Sequence, residues 1–291
     1  MLHSTDNFRR PADRTAPIGI FDSGYGGLTI LSGLREALPQ YDYLYLGDNA
    51  RSPYGQHTFD TIYRYTGQAV AYLFEQGCPL VLLACNTASA RALRTIQNVD
   101  LVRSEDPTRR VLGIIRPTVE HMDANTRNGH VGILATNATV QSNTYGIETS
   151  EYFPRITLSQ HAAPMWVPLV EHGEYHESPG VNYFVRREVE RLLSMDPEMD
   201  LIQLACTHYP LLLPIIRKYV PEHIQIMGQS DIMNEATADY LRRHPEMERR
   251  LSTGGQRRFL TTEGDERFAQ LASRFLGYEL KDASVKHVFL G

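Results

Sequence analysis

Short apolar runs recur along this chain at intervals too long for hairpins, and the gaps between them carry helical periodicity. Runs at 17–22 (PIGIFD), 42–47 (DYLYLG), 79–84 (PLVLLA), 110–115 (RVLGII), 130–135 (HVGILA), 155–159 (RITLS), 200–205 (DLIQLA) and 223–228 (HIQIMG) read as strands. Strands joined through helices pair in parallel, because a parallel connection needs a crossover of a dozen or more residues. The clearest helix, 58–76, repeats Phe59, Ile62, Tyr63, Thr66, Val70, Leu73 and Phe74 at three- and four-residue spacing, with Thr58 as N-cap and Gly77 past its end. A second, 181–193, does the same through Val181, Phe184, Val185, Val189 and Leu192 after the turn residues ESPG.

A weak duplication lies beneath the alternation. IGIFDSG at 18–24 precedes Cys85 by one βαβαβ length, and VGILATN at 131–137 precedes Cys206 by a similar one: 63 residues from Asp22 to Cys85, 70 from Thr136 to Cys206. Both cysteines follow an apolar run directly, in LVLLACNTASA and LIQLACTHYPLL. The expected fold is therefore α/β, with two pseudo-symmetric lobes, each a mostly parallel sheet flanked by helices. In such sheets ligands bind beyond the carboxyl ends of the strands, so lobes that face each other would put the two thiols on either side of one cleft.

Composition narrows the function. With 42% apolar and 22% charged residues the chain is globular, and no uninterrupted apolar stretch is long enough to span a bilayer. A net charge of −5 without a basic block longer than two residues gives no footprint for nucleic acid or an anionic membrane, which favours a small-molecule ligand. Residues 1–16 lack the apolar core of a secretory signal and read as a loose tail. Three cysteines, Cys78, Cys85 and Cys206, make no disulfide framework and fit a reducing cytoplasm.

Candidate sites follow the strand ends. DSGYGGLTI at 22–30 lacks the Lys-Ser/Thr of a phosphate loop and the spacing of a dinucleotide loop. Its glycines allow close backbone approach, and Asp22 is either a helix N-cap or a functional carboxylate. GDNARSPYG at 47–55 is either an ordinary polar loop or a pocket wall around Tyr54 and Gly55. Cys78, between Gly77 and Pro79, fits a space-filling thiol. Cys85 and Cys206 precede helix-starting residues, which would stabilise a thiolate, and Thr207 and His208 add a hydroxyl and an imidazole beside the second. Cys206-x-His208 is too close for the usual zinc spacings, so no metal site is expected.

One thiol with an imidazole fits acyl chemistry, whereas two symmetric thiols fit removal of a proton from one face of a carbon and its return to the other. Pyridoxal phosphate, the usual route to amino-acid racemisation, needs a lysine at the site. The chain has only Lys218, Lys281 and Lys286, none after a strand that ends in the expected cleft. No cofactor is expected, and thiols serve a cofactor-free transfer if the site brings their pKa near working pH.

With IGIFDSGYGGLTIL, LGDNARSPYG, ACNTASA, VGILATNATVQSNTY, APMWVPLVEHGE, QLACTHYPLL and FLTTEGDERFAQLASRFLG, the chain resembles the glutamate racemases of the cofactor-independent aspartate/glutamate racemase superfamily from about residue 17 to 278. The resemblance implies that Cys85 acts on the α-proton of D-glutamate and Cys206 on that of L-glutamate, assisted by Asp22 and His208. Ser23, Pro53, Tyr54, Gly55, Asn86, Thr87 and Thr207 match positions that hold the substrate, as do Asp22 and His208, with a further contact at Thr139. It implies discontinuous lobes, 17–111 plus 225–291 and 112–224. It also implies cytoplasmic supply of D-glutamate for peptidoglycan and the cell wall, a homodimer, and possible control by a peptidoglycan precursor. Departures from the family pattern occur at Ala135, Ala138 and Ala205, where glycine is frequent, in DNARSPYG, and in MGQSDIMNEAT, which replaces the usual Asp-Ser-Gly. Competing readings are an aspartate racemase, a two-lobe protein that binds an acidic metabolite without turnover, and a hydrolase using Cys206 and His208 alone.

Overall fold

The computed structural model describes residues 16–280 and 284–291, so 1–15 of the expected tail and Lys281 lie outside the described residues. Ala16 is no loose end: its N–H donates to Arg250 O and its carbonyl accepts from Ser252 N. The described strands are β1 (Ile18–Asp22), β2 (Tyr43–Gly47), β3 (Leu80–Leu83), β4 (Arg110–Gly113), β5 (His130–Ala135), β6 (Thr157–Ala162), β7 (Leu201–Ala205), β8 (Gln225–Met227), β9 (Arg257–Thr261) and β10 (Val285–His287). The helices are α1 (Leu28–Ala37), α2 (Phe59–Glu75), α3 (Asn86–Thr95), α4 (Ile115–Asn125), α5 (Asn137–Ser142), α6 (Thr144–Tyr152), α7 (Trp166–Glu171), α8 (Pro179–Met195), α9 (Leu213–Ile216), α10 (Ser230–Arg243), α11 (Pro245–Glu248) and α12 (Asp265–Leu276).

The helix signals act as expected. Thr58 Oγ1 accepts from Thr61 N at the start of α2, and Ile62, Thr66, Ala69, Val70, Leu73 and Phe74 form its buried face, while Phe59 turns outward. Ser178 caps α8 through Val181 N, with Pro179 at the first helical position, where a missing N–H costs nothing.

All strand pairs are parallel, in two sheets ordered β10-β9-β2-β1-β3-β4 and β6-β5-β7-β8. The duplication in the sequence is a duplication of topology: β2-β1-β3-β4 and β6-β5-β7-β8 wind identically. In each unit the chain leaves its first strand to one side and returns to the other, which opens a crevice at the carboxyl ends of the first and third strands. At the larger sheet this crevice holds Asp22, which ends β1, and Cys85, two residues past β3. At the smaller it holds Thr136 and Cys206, which follow the register partners Ala135 and Ala205.

Three expectations change. The expected boundary between 111 and 112 falls inside β4, which pairs with β3 as far as Gly113, and that between 224 and 225 assigns β8 to the first lobe although it pairs with β7. Strands β9 and β10 escaped the sequence reading because β9 opens on Arg257 and Arg258 and β10 has three residues with Lys286 at its centre, yet β9 lies between β2 and β10. The run at 155–159 starts late, at Thr157, because the chain first turns at Phe153–Ile156.

Central strands carry the stability. Ile133 in β5 is fully buried, whereas Phe289 is 83% exposed. Ile133→Ala is expected to lower the unfolding free energy by about 2–5 kcal/mol, and Phe289→Ala by about 0.5 kcal/mol or less, in urea titrations.

Candidate active site

Both crevices open into one pocket, to which the strand ends of the two sheets contribute. Every residue singled out from the sequence lines it except Asp22 and Thr139, which lie directly behind its wall. Cys85 is the N-cap of α3: its Sγ accepts from Ala88 N at 3.4 Å and lies 3.4 Å from Ser23 Oγ. Asp22 is not an N-cap of α1. Its Oδ1 accepts from Gly24 N at 2.9 Å, within the glycine turn, and its Oδ2 accepts from Thr207 Oγ1 at 3.4 Å, which joins the two sheets across the site.

On the other side Cys206 Sγ stands 3.9 Å from His208 Nδ1, and His208 Nε2 stands 3.1 Å from Glu171 Oε1 at the end of α7. Ser52 Oγ donates to the same carboxylate oxygen at 3.3 Å. No α-helix begins at Cys206; a 3-10 turn at Tyr209–Leu212 follows, because Pro210 and Pro214 remove N–H donors that a regular helix would use. The turn is anchored instead by Tyr209, whose ring packs edge-on against Trp166 and whose hydroxyl points at Ala135 O and Ala163 O.

Close approach is possible because two positions lack a Cβ. A Cβ on Gly26 would stand 2.5 Å from His208 Nδ1, and one on Gly55 would stand 2.8 Å from Thr136 Cβ. Pro53, Tyr54 and Gly55 form a wall held from behind by Asp48, which accepts from the Tyr54 hydroxyl, from Arg51 Nε and from Thr262 Oγ1. Thr87, Thr136 and Thr139 bring three buried hydroxyls together, with Oγ1 separations of 2.9 Å, 3.4 Å and 3.1 Å around the triangle.

Burial sets the charges. It pushes the Cys85 thiol up to about 12, with the nearby Asp22 carboxylate acting in the same direction and the bonds from Ser23 and Ala88 opposing it. The expected helix-stabilised thiolate is therefore overturned at Cys85: desolvation outweighs the N-terminal N–H. Burial also raises Asp22, against the pull of His208 and the N–H groups of Gly24 and Gly27. His208 is different. Burial opposes its charge, but the contacts with Cys206 and Glu171 prevail and hold the imidazolium well above its ordinary pKa. Glu171 is likewise penalised by burial, yet His208 and Ser52 bring its carboxyl below the usual range. Among the described residues no three His, Cys, Asp or Glu side chains converge as metal ligands.

The chain is 39% identical over 269 residues to a glutamate racemase of Roseobacter denitrificans, an alignment covering 89% of this chain and 96% of the relative. The fold matches a glutamate racemase isoform of Bacillus anthracis with a TM-score of 0.84 at 30% identity, over 94% of this chain and 98% of that one. It also matches the Francisella tularensis glutamate racemase solved with D-glutamate, with a TM-score of 0.80 at 28% identity, over 95% and 98%. The chain belongs to the glutamate racemase family. No family model matches it.

Membership makes the chain an amino-acid isomerase with the two-sheet α/β architecture of that family. Its departures are absorbed in packing: Ala135 and Ala205 are register partners with fully buried methyl groups beneath the pocket. Sequence reasoning missed Glu171, Ser52, Gln56, Thr136, Asn137, Pro164, Val167 and Pro168 as site residues. Glu171 lies in the quoted stretch APMWVPLVEHGE, but no local spacing ties it to His208, 37 residues on; only the fold pairs them.

The imidazolium has a measurable consequence. A folded pKa raised above 6.5 means that His208 adds stability fully present below pH 6.5 and lost as pH rises through the folded value. Nitrogen-15 NMR of the imidazole should show His208 still protonated at pH 7.5 and losing its proton earlier in Glu171→Gln; a midpoint near 6.5 in the unmodified protein would contradict the ion pair.

Proposed function

We propose that this protein interconverts L- and D-glutamate without metal or organic cofactor, using Cys85 and Cys206 as paired acid and base. The observation that carries this reading is the placement of the two thiols in one pocket, each at the crevice of its own sheet. Their different surroundings support a division of labour. His208, held protonated by Glu171, stands 3.9 Å from Cys206 Sγ, while burial and Asp22 keep Cys85 a neutral thiol.

In one direction Cys206, acting as base in its thiolate form, takes the α-proton of L-glutamate. The electron pair of the broken C–H bond enters the α-carboxylate as an enediolate. The Cys85 thiol then gives its proton to the opposite face, leaving D-glutamate, a Cys206 thiol and a Cys85 thiolate. The reverse reaction uses the same groups in exchanged roles. Asn86, Thr87, Thr207 and the Tyr54–Gly55 backbone hold the substrate's carboxylates and ammonium, with donors placed where charge develops. Asp22 and Thr139 act from behind the wall, through Thr207 and through Thr87 and Thr136.

The reading extends to cytoplasmic supply of D-glutamate for peptidoglycan, to a homodimer, and to control by a peptidoglycan precursor as in some members of the family. Support for these rests on family membership. The structural fact beside them is that no described helix is long and apolar enough to cross a membrane.

Cys85→Ala and Cys206→Ala should each lower racemisation of glutamate by about 10³-fold or more, followed by circular dichroism. Glutamate recovered from deuterated water should carry deuterium at Cα. A Cys85→Ala variant with full activity would leave a one-thiol mechanism, absence of exchange would leave a binding protein, and turnover of aspartate alone would move the substrate.

A further inference from the structure

Gln229 stands at the junction of β8 and α10, is 2% exposed, and belongs to the stretch MGQSDIMNEAT. Its carboxamide reaches three elements. Oε1 accepts from Asn86 Nδ2 at 2.7 Å, and Nε2 lies 2.8 Å from Thr118 Oγ1 in α4, 3.0 Å from the Tyr145 hydroxyl in α6 and 3.2 Å from Asn86 Oδ1. Asn86, next to Cys85, lines the pocket.

We propose that Gln229 is a positioning residue that fixes which end of the Asn86 carboxamide faces the bound substrate. The inference rests on the glutamate reading of the pocket. Its logic is a count of hydrogens. Thr118 Oγ1 donates its single hydrogen to Ile114 O at 2.7 Å, so toward Gln229 it can only accept. Gln229 must therefore turn its NH2 toward Thr118 and its carbonyl toward Asn86. Asn86 must in turn present NH2 to Gln229 Oε1, and its carbonyl then accepts from the Tyr145 hydroxyl at 2.7 Å.

One hydrogen of Asn86 Nδ2 is committed to Gln229, and the described bonds leave the second for the pocket. An N–H in that place attracts a substrate carboxylate. With the amide reversed, a carbonyl would stand there and repel it, and two acceptors would meet 2.7 Å apart at Gln229 unless Gln229 also reversed, which would set its oxygen 2.8 Å from the committed Thr118 hydroxyl. The polarity is passed from a helix carbonyl at Ile114 through three side chains to the substrate.

A double-mutant cycle tests this in the full chain with L-glutamate as the probe. Gln229→Met should lower kcat/KM about tenfold in the unmodified background and less than twofold when Asn86 is already alanine. Thr118→Val should give a smaller loss that also vanishes in the Asn86→Ala background, and it carries the cycle if Gln229→Met does not fold. An equal loss in both backgrounds, or no loss in either, overturns the inference while the racemase reading stands. A wild-type protein that leaves glutamate unracemised overturns both.

Discussion

Five ionisable groups meet at the pocket, three in its lining and Asp22 and Glu171 behind it, and the rest of the site is arranged around which of them keep a charge. Asp22 and Cys85 lie on the side of the larger sheet, Cys206, His208 and Glu171 on the side of the smaller. Burial opposes charge on Asp22, Cys85, His208 and Glu171 alike. An opposite charge in contact offsets that penalty, and between Glu171 and His208 the structure supplies one. That pair places an imidazolium 3.9 Å from Cys206 Sγ, while the Asp22 carboxylate stands near Cys85 and raises it. Two thiols that look equivalent in the sequence are thereby made unequal by one ion pair and one carboxylate.

The scaffold delivers this inequality from two copies of one winding. Each copy offers a crevice between its first and third strands, and what differs is the residue set there: Asp22 and Ser23 in one, Thr136 and the Cys-Thr-His-Tyr-Pro turn in the other. The second turn could not be held as a helix, with prolines at 210 and 214, so Tyr209 holds it by packing on Trp166 and by hydrogen bonds to the carbonyls that end β5 and precede α7. Rigidity at that point matters because His208 reaches Glu171 and Cys206 at once, and a shift of about 1 Å would break hydrogen-bond geometry.

Strand runs such as IGIFD and LVLLA were legible because burial on both faces requires continuous apolar residues, and the caps of α2 and α8 because Thr58 and Ser178 are local signals. The two cysteines were legible because they repeat at equivalent strand ends. The strand RRFLT was not, since its first two side chains are charged and its place in the sheet is set by β2 rather than by its own composition. Glu171 and Gln229 were illegible for a shared reason: each contacts a residue far away in the sequence, His208 in one case and Asn86 in the other, and no local spacing points to that partner. The protonation of Cys85 was misread because a helix N-terminus is visible in sequence while desolvation is not.

On the two-thiol reading the same inequality poses a kinetic constraint. Each turnover in one direction leaves the proton on the opposite sulfur, so Cys85 must hold a thiolate after L-glutamate has become D-glutamate. A thiol pushed up to about 12 would resist that in the empty pocket. An amino-acid substrate carries an ammonium on its Cα, so on that reading a positive charge accompanies the carbon that both thiols address. A unit positive charge about 4 Å from a thiolate is worth roughly 4 kcal/mol at an effective dielectric of about 20, close to three pKa units. Asp22 then has a second consequence: the carboxylate that raises Cys85 in the empty site also attracts that ammonium. On the two-thiol reading, then, the group that keeps the resting thiol neutral would also help recruit the charge that permits it to ionise, and the thiolate state of Cys85 would be tied to an amino acid in the pocket.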